Sequence, residues 1–183
     1  SLDASFAGQG DTFLNVLGEV NVVNRVRDCW SSLFTSRSIF YQVKKHYDHF
    51  KIGVAVPVQK LINSEVSGIM FTANPVTNAK NEIIVETIWG LGEYIVQGKI
   101  TPDQHIVDKN SWKIISEEHV SQEIQLTKGD DETKETSVPR TKINKKKIDP
   151  SMAIKIAKIG QKLHQHYGKP QDVEFSIDKG KLY

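Results

Sequence analysis

One cysteine, Cys29, occurs in 183 residues. It has no partner for an internal disulfide, so a reducing, cytoplasmic setting is expected. Apolar residues never run to the roughly 18 that span a bilayer, and no signal peptide is evident. An excess of one charge is also lacking. Lys and Arg number 24 against 22 Asp and Glu, a formal net charge of +2. That balance excludes strong non-specific attraction to nucleic acid or membranes. Apolar residues make up 38% and charged residues 25%, the composition of a globular domain long enough to bury a substantial core. No internal repeat occurs. The chain starts at Ser1-Leu2-Asp3 and stops at Lys181-Leu182-Tyr183 inside a strand-like run, so it is expected to be a piece of a larger protein.

Against these absences stands Ser5-Phe6-Ala7-Gly8-Gln9-Gly10-Asp11-Thr12. Its glycines let a backbone approach phosphate oxygens closely. Amide groups of such a loop, and of a helix start behind it, can bind an anion. Alone, a Gly-x-Gly pair is weak evidence, since most are ordinary turns.

Val23, Val26, Trp30 and Leu33 recur at helical spacing and predict a helix from Glu19 to Phe34, with a second over Ile39 to Tyr47. Ile52, Val54, Val56 and Val58 alternate with smaller or polar residues and predict a strand, in which Pro57 cannot donate to a ladder. Further strands are expected at Val66 to Thr72 and Glu82 to Ile88, and a hairpin over Gln104 to Ser116. Residues 121–149 are polar and charge-rich and read as a linker or excursion. Asp149 and Pro150 suit the first turn of a helix whose buried stripe is Ala153, Ile156, Gly160, Leu163 and Tyr167; Gly168 and Pro170 end it. A strand from Gln171 to Ile177, a turn and a returning strand complete an α/β (α+β) fold.

Strand alternation places Asp172, Glu174 and Ser176 on one face and Val173, Phe175 and Ile177 on the other. Two carboxylates on one face suit a hard divalent cation, or simply a solvated sheet surface. Trp89-Gly90-Leu91-Gly92-Glu93 reads either as a strand-to-helix turn or as a functional loop offering amides and Glu93. Gln59, Lys60 and Leu61, after the strand at 52–58, can pair backbone groups with an adenine edge or merely end a core strand. His46 and His49 can share a helix face, yet read better as surface residues. His164 and His166 do not face each other on a helix. Lys145-Lys146-Lys147 reads as a solvated run and Cys29 as a buried thiol.

Five motifs in order carry a resemblance over essentially the whole chain. They are Ser5 to Val16, Ser67-Gly68-Ile69-Met70-Phe71-Thr72-Ala73-Asn74-Pro75-Val76-Thr77, Trp89 to Glu93, Thr101-Pro102-Asp103, and Pro170-Gln171-Asp172-Val173-Glu174-Phe175. Together they resemble the ATP-binding domain of the phosphoenolpyruvate synthase (pyruvate, water dikinase) family. The resemblance implies an ATP-grasp fold, with two lobes clamping ATP, a mixed, largely antiparallel sheet and flanking helices. It implies residues 1–183 as a partial nucleotide-binding domain, with 150–183 as a helix plus the metal-site strand. By position, Gly8, Gln9 and Thr12 would line the ATP phosphates, and Gln59, Lys60 and Leu61 would form the adenine hinge. Glu174, then Asp172, would ligate Mg²⁺. The phosphoryl acceptor would be a histidine on a separate swivelling domain, and a barrel domain would bind pyruvate. None of the histidines here would then be catalytic. The chain departs from the family at Gly10, where a bulkier polar residue is usual, and at Pro57, where an aliphatic one is expected. Alternative readings are a rifampicin phosphotransferase-like domain and a non-catalytic nucleotide-binding module.

Overall fold

The computed structural model describes Gly8 and residues 10–183; Gln9 and the first seven residues lie outside the described set. The chain divides into two units. The first comprises residues up to Leu61 with Gly129–Thr133, and the second comprises Ile62–Lys128 and Lys134–Tyr183.

The first unit is helical. The predicted first helix forms as α1 (Glu19–Ser31) followed by a 3₁₀ turn at Ser32–Phe34. Helix α2 covers Ser36–Lys44, starting and ending three residues before its predicted bounds, because Thr35 caps it by accepting from Ser38 N–H. The periodicity of α1 is real, but its stripe is uncovered: Val23 is 67% and Trp30 53% exposed, and α1 buries no residue. The unit is held instead by buried polar groups. Gln42, 1% exposed, donates to Leu33 O at 2.8 Å and to Ser38 Oγ at 3.2 Å. Each is a satisfied polar contact in a place where an unpaired amide would cost stability.

The strand predicted over Ile52 to Val58 does not form; residues 52–64 adopt no regular structure. Alternation makes a strand only where a ladder receives it, and among the described residues none does. Pro57, lacking an N–H, adds to that obstacle.

The second unit is a six-stranded sheet in the order β4-β3-β2-β1-β7-β8, antiparallel at every pairing. Its strands are β1 (Val66–Phe71), β2 (Glu82–Trp89), β3 (Asp103–Asp108), β4 (Ile114–Glu118), β7 (Asp172–Asp178) and β8 (Lys181–Leu182). A short helix α3 (Glu93–Val96) follows β2, and β5 (Ile124–Lys128) pairs with β6 (Thr133–Ser137) as a separate ribbon. The mixed α/β class and antiparallel sheet agree with expectation. Helix α4 (Pro150–Tyr167) lies on one face, capped by Asp149 accepting from Met152 N–H at 2.8 Å and ended by Gly168 in the left-handed region. Ala153, Ile156, Ala157 and Gly160 are its buried residues, whereas Tyr167 is 59% exposed. Val66, Met70, Val85, Val107, Phe175 and Ile177 meet it from the sheet.

Two glycines allow this packing. A Cβ on Gly68 would lie 2.1 Å from Glu86 O and 2.4 Å from the Phe175 ring, and one on Gly160 would lie 2.4 Å from Met70 Sδ. The ring of Phe175 and the side chain of Met70 occupy the space these residues leave vacant.

The lysine run departs from expectation. Lys145 and Lys146 are exposed, but Lys147 is buried. Its Nζ sits 2.7 Å from Asp103 Oδ1 and donates to Val120 O at 2.5 Å. Asp103 also accepts from Val120 N–H at 2.9 Å and Lys147 N–H at 3.1 Å, and His119 Nδ1 lies 2.9 Å away. Burial pushes the Asp103 carboxyl up, but these donors outweigh it and hold the group below the usual carboxylate range. A solvated lysine is the ordinary outcome; here a fully buried partner carboxylate draws it in.

Candidate functional site

Strand β7 presents its carboxylates as alternation requires. Phe175 and Ile177 are buried toward α4, and Asp172 and Glu174 are exposed on the opposite face. Crowding removes part of the hydration of Asp172 and pushes its carboxyl up. In the β1–β7 register Glu174 stands opposite Ile69 and Asp172 opposite Phe71.

The same register reveals a residue that motif reading missed. Ile69 also stands opposite Glu86 of β2, so Glu174 and Glu86 flank it on one face. Glu86 in turn pairs with Gln104 of β3, whose Nε2 donates to Glu86 Oε1 at 3.0 Å. Glu118 of β4 completes the row opposite Gln104. The signal lay in the alternation of Glu82, Ile84, Glu86 and Ile88, but only strand pairing aligns Glu86 with Glu174. Among the described residues no group of three His, Cys, Asp or Glu side chains is close enough to hold a metal ion. The carboxylates on this face are nevertheless hard oxygen donors of the kind Mg²⁺ selects.

The glycine loop lies in the first unit. Gly8 has φ +70°, closed to most side chains, and open space where a Cβ would project. Thr12 is exposed. Asp11 N–H donates to Ser32 Oγ at 3.1 Å, and Cys29 Sγ donates to Asp11 O at 3.4 Å. Asp11 is therefore anchored at the C-terminal end of α1. Thirteen helical residues span about 20 Å, so Asp11 meets α1 at the end opposite Glu19. Partial burial, then the negative charges of Asp11 and Asp28, push the Cys29 thiol up.

Gln59 and Lys60 are exposed and Leu61 half-buried, on the irregular segment of the same unit. Glu174 and Asp172 belong to the other unit. In the Trp89–Glu93 loop, Gly90 N–H donates to Glu65 O at 3.0 Å and Leu91 N–H to Leu126 O at 2.8 Å. Those two amides serve the fold. Glu93 Oε1 accepts from Gln97 Nε2 at 2.9 Å. His46 and His49 do not share a helix face, because α2 stops at Lys44 and His46 turns to φ +57°. His49 Nδ1 lies 2.7 Å from Gln42 Oε1 and is its donor, since an amide oxygen only accepts.

An antiparallel sheet with a helix on one face and a row of acids on the other defines a two-layer, mixed α/β unit. Over residues 1–183 the chain matches the family described as pyruvate phosphate dikinase, AMP/ATP-binding domain, and belongs to that family. It is 44% identical over 190 residues to phosphoenolpyruvate synthase of Pyrococcus furiosus, covering 99% of this chain and 23% of the relative. It is 45% identical over 181 residues to a probable phosphoenolpyruvate synthase of Archaeoglobus fulgidus (99% and 24%). A further probable phosphoenolpyruvate synthase, from Methanocaldococcus jannaschii, is 44% identical over 182 residues (99% and 15%). The chain thus spans a quarter or less of these relatives. No helix among the described residues is long and apolar enough to cross a membrane.

Proposed function

We propose that this chain is the ATP- and Mg²⁺-binding part of a cytoplasmic phosphoenolpyruvate synthase, with the ATP-grasp arrangement of two lobes. The reading rests on the family membership together with one observation, the outward presentation of Glu174 on β7 while its neighbours pack inward. Residues 1–183 act as one partial nucleotide-binding domain, in which 121–149 is an excursion and 150–183 supplies the helix and the metal strand. Gly8, Gln9 and Thr12 line the ATP phosphates; Gln59, Lys60 and Leu61 take the adenine edge through backbone groups. Glu174 and Asp172 hold Mg²⁺, which neutralises phosphate charge when bound.

Phosphoryl transfer depends mainly on positioning and charge neutralisation, so amides and carboxylates are the parts this lobe must contribute. The acceptor is a histidine on another domain of the parent chain, and the full reaction converts pyruvate, ATP and water to phosphoenolpyruvate, AMP and phosphate. This chain by itself does not turn over. Glu174→Gln in the full-length enzyme tests the assignment. Mg²⁺-dependent AMP formation is expected to fall by orders of magnitude, and near-normal activity with unchanged Mg²⁺ dependence would overturn the metal role.

A further inference from the structure

Within the first unit, the residues that follow the glycine loop are fastened one after another. Asp11 is held through its backbone at the end of α1. Its N–H donates to Ser32 Oγ at 3.1 Å, and its carbonyl accepts from Cys29 Sγ at 3.4 Å. Ser32 is buried, and its hydroxyl proton goes to Cys29 O at 2.7 Å. One hydroxyl thus ties Asp11 to α1 as donor and acceptor at once. Phe13 is held by its ring, whose centroid lies 4.7 Å from the Arg25 guanidinium. Asn15 is held by its side chain, in which Nδ2 donates to Gly129 O at 3.0 Å in the turn between β5 and β6. Thr12, between the first two anchors, is exposed, and its hydroxyl meets no partner among the described residues.

Asn15 is costly where it stands. It is buried at φ +53°, a region asparagine enters more readily than most side chains. Its Oδ1 is buried with no donor among the described residues, which lowers stability. What the residue supplies is geometry: a left-handed backbone and a tether to the β5–β6 turn. Ser38 offers a contrast in the same unit. Its hydroxyl is equally buried, yet its oxygen accepts from Gln42 Nε2 within α2.

We propose that Ser32 and Asn15 are positioning residues that fix residues 11–15 and so aim the Thr12 hydroxyl at the ATP phosphates, which rests on Thr12 being a phosphate contact. A hydroxyl on a preset backbone loses little freedom when a phosphate oxygen arrives; released at either anchor, the segment must be ordered by the ligand. The test uses the full-length enzyme and compares dissociation constants of a non-hydrolysable ATP analogue and of adenosine, which has no phosphate. Ser32→Ala should weaken the analogue about fivefold and leave adenosine unchanged. Asn15→Gly, which keeps the left-handed backbone and removes the amide, should do the same. Ser38→Ala should change neither ligand. In a Thr12→Val background, Ser32→Ala should add less than about twofold, because both residues act through one contact. Unchanged analogue binding in Ser32→Ala and Asn15→Gly, adenosine weakened as much as the analogue, or full additivity with Thr12→Val would overturn the positioning role and leave the phosphate reading standing. A Thr12→Val enzyme that binds the analogue like the wild type would instead overturn the phosphate reading, and the positioning role with it.

Discussion

Lys147 Nζ lies 2.7 Å from Asp103 Oδ1, and both side chains are sealed from solvent at 0% and 1% exposure. The pair joins two positions 44 residues apart in sequence, the first residue of β3 and the segment just before α4. Removing the Lys147 ammonium leaves the buried Asp103 carboxylate with only the amides of Val120 and residue 147 and with His119 as partners, so Lys147→Ala is expected to cost about 3 kcal/mol. Chemical unfolding of the variant measures this. A loss below about 1 kcal/mol would mean that water reaches Asp103 freely.

The same region makes stability depend on pH. Burial, partly offset by Glu117 and Asp103, holds the His105 imidazole below its ordinary value of 6.5. Asp103 is likewise held below its ordinary 3.8. In both cases the unfolded chain binds protons more readily, so stability is fully present above the unfolded values and is lost as pH falls. The expected profile falls first below about pH 6.5 through His105 and again below about pH 4 through Asp103. Denaturant midpoints measured across this range should decline in those two steps. His105→Asn should remove the first.

Close packing at Gly68 and Gly160 predicts intolerance to a single methyl group. Gly68→Ala drives a Cβ against Glu86 O and the Phe175 ring and should destabilise by about 1–3 kcal/mol or more. Gly53→Ala, with nothing within 4 Å of its Cβ, should be neutral or slightly stabilising. Thermal unfolding of the two variants distinguishes local crowding from a general intolerance of glycine replacement.

The raised carboxyl of Asp172 predicts proton competition at the proposed metal face. Half-saturating Mg²⁺ for the full-length enzyme should rise as pH is lowered toward the carboxylate range, and Asp172→Asn should flatten that dependence. An identical pH response in wild type and variant would remove Asp172 from the metal site.

Cys29 should react slowly with thiol reagents. Partial burial and the adjacent Asp11 and Asp28 disfavour its thiolate. Alkylation near neutral pH is expected to lag behind that of a free small-molecule thiol, and Asp28→Asn should speed it.

Local chemistry made much of the second unit legible in advance. Asp149, Pro150 and Gly168 carry the limits of α4 in their own backbone and capping preferences. Val173, Phe175 and Ile177 announced the buried face of β7, because a strand alternates wherever a sheet receives it. The segment at 52–58 shows the converse, since the same pattern without a ladder yields no strand. The stripe of α1 was read correctly as a periodicity but finds no cover among the described residues.

What the sequence by itself determined was every feature set by near neighbours along the chain: the ends of α4, the glycine-rich turns, the inward and outward faces of β7, and the motif order that identifies the family. Tertiary structure alone decided three others. It buried Lys147 against Asp103, it brought Glu86 beside Ile69 in line with Glu174, and it anchored Asp11 at the far end of α1 through Ser32. The physical reason is common to all three. Each depends on a partner 17 to 105 positions away, and composition or spacing along the chain carries no record of which distant groups a sheet register or a turn will bring within hydrogen-bonding distance.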